Sequence, residues 1–446
     1  MTFDEFKDRV FSVAKKKGFD HCQLHLDNTH EFEVMVCDGK VDRYKDARHL
    51  KIHFKGLKGD KAGFAVTEIM DEDSAGMLVE EAYENLKVVE SPDKEFLHDG
   101  SGKYEDLKLY TGDFERLTGA EKIELAKKME KVAKGYDSRI VKVPMNVVGH
   151  FGVTERIVNT LGLDVSFSNE GGYAYCSLLA SEGDNPKEGF KAVVVKKPEE
   201  LDVEEVARFA AEEGIKKIGA RSLPSGKYTL LIRRNAFAQI LGWFSVMFSA
   251  ERVQKKLSPL AGKLNERIGV EKLTIIDDPH MESSFTSRPF DTDGYPTSRK
   301  RVVEKGILKT FLHNLKTAHK DGVTSTGNAR GSGAGFMNIV VEPGLLSYEE
   351  LIKSVEKCIL IIDVAGIHAG CDPISGNYSI SAEGFMVENG EITYPVEQIT
   401  ISGNILDMFK NISLVGNDTD LELTLSPNML AYLPSVVVES VDVAGK

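Results

Sequence analysis

No stretch of this 446-residue sequence holds the ~18 consecutive apolar residues that a bilayer-spanning helix requires, so no membrane span is expected. The segment Met1 to Gly18 interleaves charged and apolar residues without an unbroken apolar core, which argues against a signal peptide or an anchor. Basic runs are equally scarce. No run is longer than the three residues of Lys15-Lys16-Lys17, read as the solvated end of a helix, and acidic residues outnumber Lys plus Arg by 69 to 56, for a net charge of -13. Nucleic-acid binding needs a concentrated positive patch to displace counterions, so no nucleic-acid partner is expected. Cysteine is sparse as well: Cys22, Cys37, Cys176, Cys358 and Cys371 are an odd, scattered set without CxxC spacing. Free thiols in a reducing compartment follow, and with them a cytoplasmic location.

Several catalytic signatures are missing too. There is no Gly-x-Ser-x-Gly elbow, no His-Glu-x-x-His and no Ser-x-x-Lys in a fitting setting. Gly219 to Tyr228 is not a phosphate loop, because Tyr228 replaces the magnesium-binding hydroxyl and a strand pattern follows where a helix N-terminus is required. Gly56, Gly59 and Gly63 read as turn glycines between strands, not as a dinucleotide fingerprint. The histidine pairs His21/His25 and His49/His53 have a helical metal-binding spacing but sit in strand patterns, where a separation of four places the rings too far apart to share an ion. They read as outward-facing polar positions. His313 and His319 lie on a helical pattern and point to different faces. Asp291, Asp293 and Gly294 open like a calcium loop that lacks its later carboxylates, and are better read as a turn. Gly327 to Gly335 (GNARGSGAG) reads as a flexible loop whose bare backbone could cradle an anion or clamp a peptide.

What is present is an ordinary globular composition, 41% apolar and 28% charged, in a chain long enough for two or three domains. Thr2 and Glu5 form a capping box before a helix that Gly18 stops. Short alternating runs follow at His21–Leu26, Phe32–Cys37, Val41–Tyr44, His49–Phe54 and Ala62–Val66, with Asp38-Gly39 as a hairpin turn. A helix is predicted over Asp71–Val88, ended by Ser91-Pro92, and residues 93 to 118 read as a connection. The order then recurs: a helix over Ala120–Gly135, strands at Ile140–Val148, Thr154–Asn159, Val165–Ser168 and Tyr173–Ala180 with Gly171-Gly172 between the last two, and a helix over Val203–Gly214. This points to an internal duplication of 1–92 and 118–220 within an N-terminal α+β domain, 1–220.

The second half, 221–446, opens with a strand at Tyr228–Ile232 and a helix from Asn235 to about Ala250. Gly-punctuated strands follow at Val302–Glu304, Met337–Glu342, Ile359–Val364 and Tyr378–Ser381, then a type I′ hairpin at Asn389-Gly390 and a helix over Ser402–Asn411 capped by Ser402. Strands and helices do not alternate regularly. The expected class is therefore α+β with antiparallel or mixed sheets, the C-terminal domain being β-rich.

Three ordered blocks of that half resemble a known family. They are Phe248-Ser249-Ala250-Glu251 with Lys256, Ser258, Leu260-Ala261-Gly262 and Thr274–Asp278; Phe290–Gly294 with Glu304–Lys309, His313-Asn314 and Ser325–Asn328; and Pro373–Gly376 with Tyr378-Ser379, Glu388-Asn389-Gly390, Pro395-Val396, Gly403-Asn404 and Val415–Asp418. Together they are similar to the C-terminal domain of TldD/PmbA proteins, the "modulator of DNA gyrase" family, with the PmbA (TldE) branch closest.

The resemblance implies the following. TldD subunits look like zinc peptidases with a helix bearing His-Glu-x-x-x-His and a later cysteine. The matching positions here are Leu241, Gly242 and Val246, with Ser381 near the cysteine position. None supplies a ligand or a base, so no metal or cofactor is expected in this chain, and zinc only in a TldD-like partner. The implied role is a non-catalytic subunit that builds a cavity for unfolded or modified peptides, with homodimers when the partner is absent. Candidate cavity loops carry Asp291, Asp293, Thr326, Asn328, Arg330, His368, Asp372 and Ser375. Two other readings stand beside it. One is a self-sufficient hydrolase with Cys371 as nucleophile and His368 as its base. The other is a binding or scaffold protein with no peptidase link.

Overall fold

A computed structural model describes residues 1–88, 93–424 and 429–446. Helix α1 (Phe3–Lys17) starts at the predicted box: the Thr2 hydroxyl accepts from Glu5 N, Glu5 accepts from Thr2 N, and Gly18 closes the helix at φ +94°. Strands β1 (His21–Cys37), β2 (Lys40–Lys58) and β3 (Lys61–Thr67) then form a meander, followed by α2 (Glu72–Val88). The residues expected to end α2, Ser91-Pro92, lie outside the described residues. The connection holds one short helix, α3 (Asp113–Arg116). The motif then repeats as α4 (Gly119–Tyr136), β4 (Ile140–Asn159), β5 (Asp164–Ala180), β6 (Lys187–Val195) and α5 (Val203–Lys216).

All six strands make one antiparallel sheet in the order β3-β2-β1-β4-β5-β6, which reads alike from either edge. The two units also share small devices. Thr118 and Glu121 cap α4 as Thr2 and Glu5 cap α1. A Cβ on Gly63 of β3 would overlap the Ala82 carbonyl of α2, and a Cβ on Gly189 of β6 would overlap the Ala210 carbonyl of α5. In each unit a glycine thus lets the second helix lie directly on the third strand.

Several expectations need correction here. The short runs merge into long strands, because the β1–β2 and β4–β5 ladders continue through polar stretches such as Asn28 to His30. Gly171 and Gly172 are not a break: they pair with Phe151 and His150, and the rings of Phe285 and Phe114 fill the space where their side chains would stand. Gly56 and Gly63 pair with each other inside strands, Phe19 packing over Gly56, and of the three glycines only Gly59 (φ +58°) sits in the turn. Two helices differ as well. The helix begun at Arg234 ends at Phe244 in a 3-10 turn, with the Ser245 hydroxyl donating to the Gly242 carbonyl at 2.6 Å. Ser402 lies in a strand, and Asn404 caps the helix Ile405–Lys410 instead.

From Gly226 onward the strands form two further large sheets. One has the order 307–308, 300–304, 275–277, 338–341, 430–433, 420–423, and the other is built around Gly226–Ile232 (β7) and Val436–Ala444. Both are mixed: Asn338–Val341 runs parallel to Leu430–Leu433, and Lys357–Ala365 parallel to β7. Helix α6 (Arg234–Phe244) buries Phe237, Ile240, Leu241 and Phe244 in an apolar core that joins both sheets. The Asn389-Gly390 hairpin has the positive φ values, +54° and +75°, that its type I′ turn demands.

Candidate functional site, a cleft between the two halves

Helix α6 carries Leu241 and Gly242, two of the four positions that the resemblance matches to the metal ligands and base of a TldD subunit. Leu241 is buried in the core, and a Cβ on Gly242 would come within 2.8 Å of the Thr424 side chain. Val246 is half-buried in the following 3-10 turn, and Ser381 is exposed on strand Asn377–Glu388. Among the described residues no group of three or more His, Cys, Asp or Glu could hold a metal ion.

Chemistry-bearing side chains converge elsewhere, in a cleft of about 640 Å³ between one face of the first sheet and loops of the second half. Its floor is set by strand register. His25 of β1 stands opposite His53 of β2, ring centroids 5.8 Å apart, and Asp27 stands opposite both Lys51 and Glu155 of β4. Glu155, 4% exposed, accepts from Arg288 Nη2 at 2.8 Å and faces His25 Nε2 at 3.0 Å. Burial opposes ionisation of Glu155, but the Arg288 guanidinium and His25 overcome it and hold the carboxyl at about 2. Burial, then the neighbouring His25, lowers His53 below the ordinary imidazole range. Burial, then the Glu155 charge, raises Asp27. At the other end Glu95 bridges Lys55 (2.8 Å) and Lys316 (2.9 Å) beside the rings of Phe64 and Phe96.

The sequence reading of the histidine pairs as merely outward-facing is corrected by this arrangement: His25 and His53 pair across strands and line the cleft. His313 precedes its helix, Leu315–Asp321, and only His319 lies on it. The predicted cavity loops divide. Asp293 lines the cleft, accepting from Leu315 N at 3.0 Å, and burial raises its carboxyl. Asp291 is a turn anchor, fully buried and accepting from the backbone N–H groups of Asp293, Tyr295 and Ala329. The GNARGSGAG segment is no bare flexible loop. It folds into a small hairpin, Ala329–Arg330 on Gly333–Ala334, with Asn328 fully buried and donating to Asp277 at 2.7 Å. Thr326 is tied to the His313 backbone, and Arg330 donates to the Phe336 carbonyl at 2.9 Å.

Family models match over most of the chain: residues 112–218 match the "PmbA/TldA metallopeptidase central domain" and residues 225–445 the "PmbA/TldA metallopeptidase C-terminal domain". A "Metalloprotease PmbA homolog" of Buchnera aphidicola is 30% identical over 355 residues, 79% of this chain and 76% of that protein. The chain belongs to the PmbA/TldD metallopeptidase family. Another PmbA/TldD relative, "Metalloprotease PmbA" of Escherichia coli, is 30% identical over 302 residues, 67% of this chain and 66% of its own length. Among solved structures, a Thermotoga maritima protein described as a candidate modulator of a DNA gyrase is 42% identical with a TM-score of 0.93, over 99% of this chain and all of that one. TldE of Thermococcus kodakarensis shares the fold, with a TM-score of 0.90 at 23% identity over 99% and 100% of the two chains. In this PmbA/TldD chain no helix among the described residues is long and apolar enough to cross a membrane.

The alternative nucleophile has poor surroundings. Cys371 is buried against Tyr378 in its strand pair, and burial pushes its thiol up to about 12. His368 is exposed, and no hydrogen bond joins it to Cys371 among the described residues. Asp372 and Ser375 belong to a turn, with Asp372 accepting from Ile374 N and from the Ser375 hydroxyl at 2.7 Å.

Proposed function

We propose that this chain is a non-catalytic, PmbA (TldE)-like subunit of a heteromeric metallopeptidase, acting in the cytoplasm on unfolded or modified peptides. Zinc and the catalytic base then belong to a TldD-like partner, and the isolated chain forms homodimers. The observation that carries this reading is helix α6: Leu241 and Gly242 sit in the core where a catalytic subunit needs imidazole and carboxylate. A catalytic zinc site requires three protein ligands and an open position, and an aliphatic side chain and a glycine contribute neither ligand nor base. The contribution of this chain is the shape and charge of the cleft between its halves, in which an extended peptide is received. Co-expression with an affinity-tagged TldD-like protein tests the proposal. Stoichiometric co-purification is expected, with peptide cleavage that falls sharply when this chain is omitted. Undiminished cleavage without it would refute the subunit role, and pull-down of unrelated proteins alone would favour a scaffold.

A further inference from the structure

One end of the cleft is a carboxylate cradle that the chain fills itself. Glu95 gives one oxygen to each of two ammonium groups, Oε2 to Lys55 Nζ at 2.8 Å and Oε1 to Lys316 Nζ at 2.9 Å. The two cations come from opposite walls, Lys55 from β2 and Lys316 from the helix Leu315–Asp321, so the docking of the two halves brings them within reach of one carboxylate. Lys55 also donates to the Phe96 carbonyl at 3.0 Å and stands 5.6 Å from the Phe64 ring centre. Lys316 reaches no acceptor but Glu95 among the described residues, which leaves N–H donors open. Asp293 faces both lysines as well, but its Oδ2 is spent on Leu315 N and burial disfavours its charge, so Glu95 is their principal counter-charge.

Glu95 itself belongs to neither wall. It lies on the connection between α2 and α3, on a strap tied down by the Glu95 N–H to the Asp60 carbonyl at 3.2 Å and by the pairs Lys94–Asp60 (2.9 Å) and Asp93–Lys320 (3.2 Å). Ion pairs as open to solvent as these hold weakly. If the Glu95 carboxyl swings out, two converging ammonium groups remain beside the Phe64 and Phe96 rings, and any carboxylate entering the 640 Å³ cleft can take both charge-assisted hydrogen bonds. We infer that Lys55 and Lys316 form a subsite for a carboxylate of an extended peptide, its C-terminal group or an acidic side chain, and that Glu95 occupies this subsite as an internal competitor which the peptide displaces. That the carboxylate is carried by a peptide rests on the proposed function; the affinity for a carboxylate rests on the cleft alone. An internal competitor reduces apparent affinity to the fraction of molecules whose subsite is empty, so neutralising Glu95 exposes the full affinity.

The test uses the isolated full chain and calorimetric titration with four N-acetylated alanine pentapeptides: one amidated, one with a free carboxyl end, one amidated with a central glutamate, and one amidated with glutamine in that place. In Glu95→Gln, at least one carboxylate-bearing peptide is expected to bind about tenfold more tightly than its uncharged counterpart, the span of a charge-assisted hydrogen bond. The arms separate a terminal from a side-chain carboxylate. The unmodified chain is expected to show a weaker preference, because Glu95 competes. Adding Lys316→Met to Glu95→Gln, which keeps an apolar stem and removes the donor, is expected to abolish the preference, and thermal melts check the fold of each variant. Should Glu95→Gln not fold, Glu95→Asp makes the same comparison: its carboxylate is one methylene short of the cradle, and part of the gain is expected. Equal binding of the paired peptides by a folded Glu95 variant, or a preference no stronger there than in the unmodified chain, would overturn the inference. The titration needs neither partner nor cleavage, so a missing complex sinks the subunit role and leaves this preference standing, and the reverse holds too.

Discussion

Arg288 donates to Glu155 at 2.8 Å from a loop of the second half, locking that loop onto an inner strand of the first sheet. The pair is shielded on both sides, Glu155 being buried and Arg288 lying over the Phe167 ring at 5.4 Å. Removing one member strands a buried charge. Arg288→Met is expected to cost about 3–5 kcal/mol in urea denaturation at neutral pH. Glu155 is held at about 2, against an ordinary 4.5, so its contribution is complete above the ordinary value and is lost as pH falls from there toward 2. Arg288→Met is expected to flatten that part of the stability–pH curve, which a denaturation series from about pH 6 to about pH 3 measures.

The two glycines under the second helix of each unit predict matched effects. Gly63→Ala and Gly189→Ala each force a helix away from its strand and are expected to cost about 1–3 kcal/mol, the range for overpacking. Because the sites lie in separate units, the double variant is expected to show the sum in thermal melts. A loss confined to one glycine would contradict the equivalence of the two units.

Short-range signals are legible in the sequence. The Thr2–Glu5 box, the Asp38-Gly39 and Asn389-Gly390 turns and the helix from residue 203 all declare themselves within a few residues. The α+β class and the mixed sheets follow from such signals. The cleft does not, because it depends on register between distant strands. Counting back from the Asp38-Gly39 turn places His25 opposite Ile52, on the wrong face. A bulge between Met35 and Val36 shifts the ladder by one residue and brings His53 there instead. Nothing near Arg288 or Glu155 marks their contact, 133 residues apart in sequence. Asn328 resembles an ordinary loop residue because a glycine-rich stretch hides the buried partner, Asp277, that pins it.

Thiol reactivity separates the hydrolase alternative from the proposed one. Cys22, Cys176, Cys358 and Cys371 are buried, and burial pushes each thiol up to about 12, whereas Cys37 is half-exposed. Brief iodoacetamide treatment of the native chain at about pH 8 is expected to modify Cys37 alone, as read by peptide mass spectrometry. Rapid modification of Cys371, with loss of peptide hydrolysis, would favour a cysteine nucleophile.

Rebuilding the motif is expected to fail. In Leu241→His/Gly242→Glu/Val246→His, the new carboxylate at position 242 meets Thr424, and an imidazole replaces Leu241 in the apolar core. A lower melting temperature and no stoichiometric zinc are expected. A folded variant with one tightly bound zinc would show that the surrounding frame still accommodates the metal.

Metal analysis and a peptide-cleavage assay on the purified chain, alone and then mixed with a TldD-like protein, decide whether this chain is catalytic by itself. The expected result is substoichiometric zinc and no cleavage for the chain alone, with zinc-dependent cleavage only in the mixture. One zinc per chain, bound by its own side chains and supporting peptide hydrolysis without a partner, would refute the non-catalytic role.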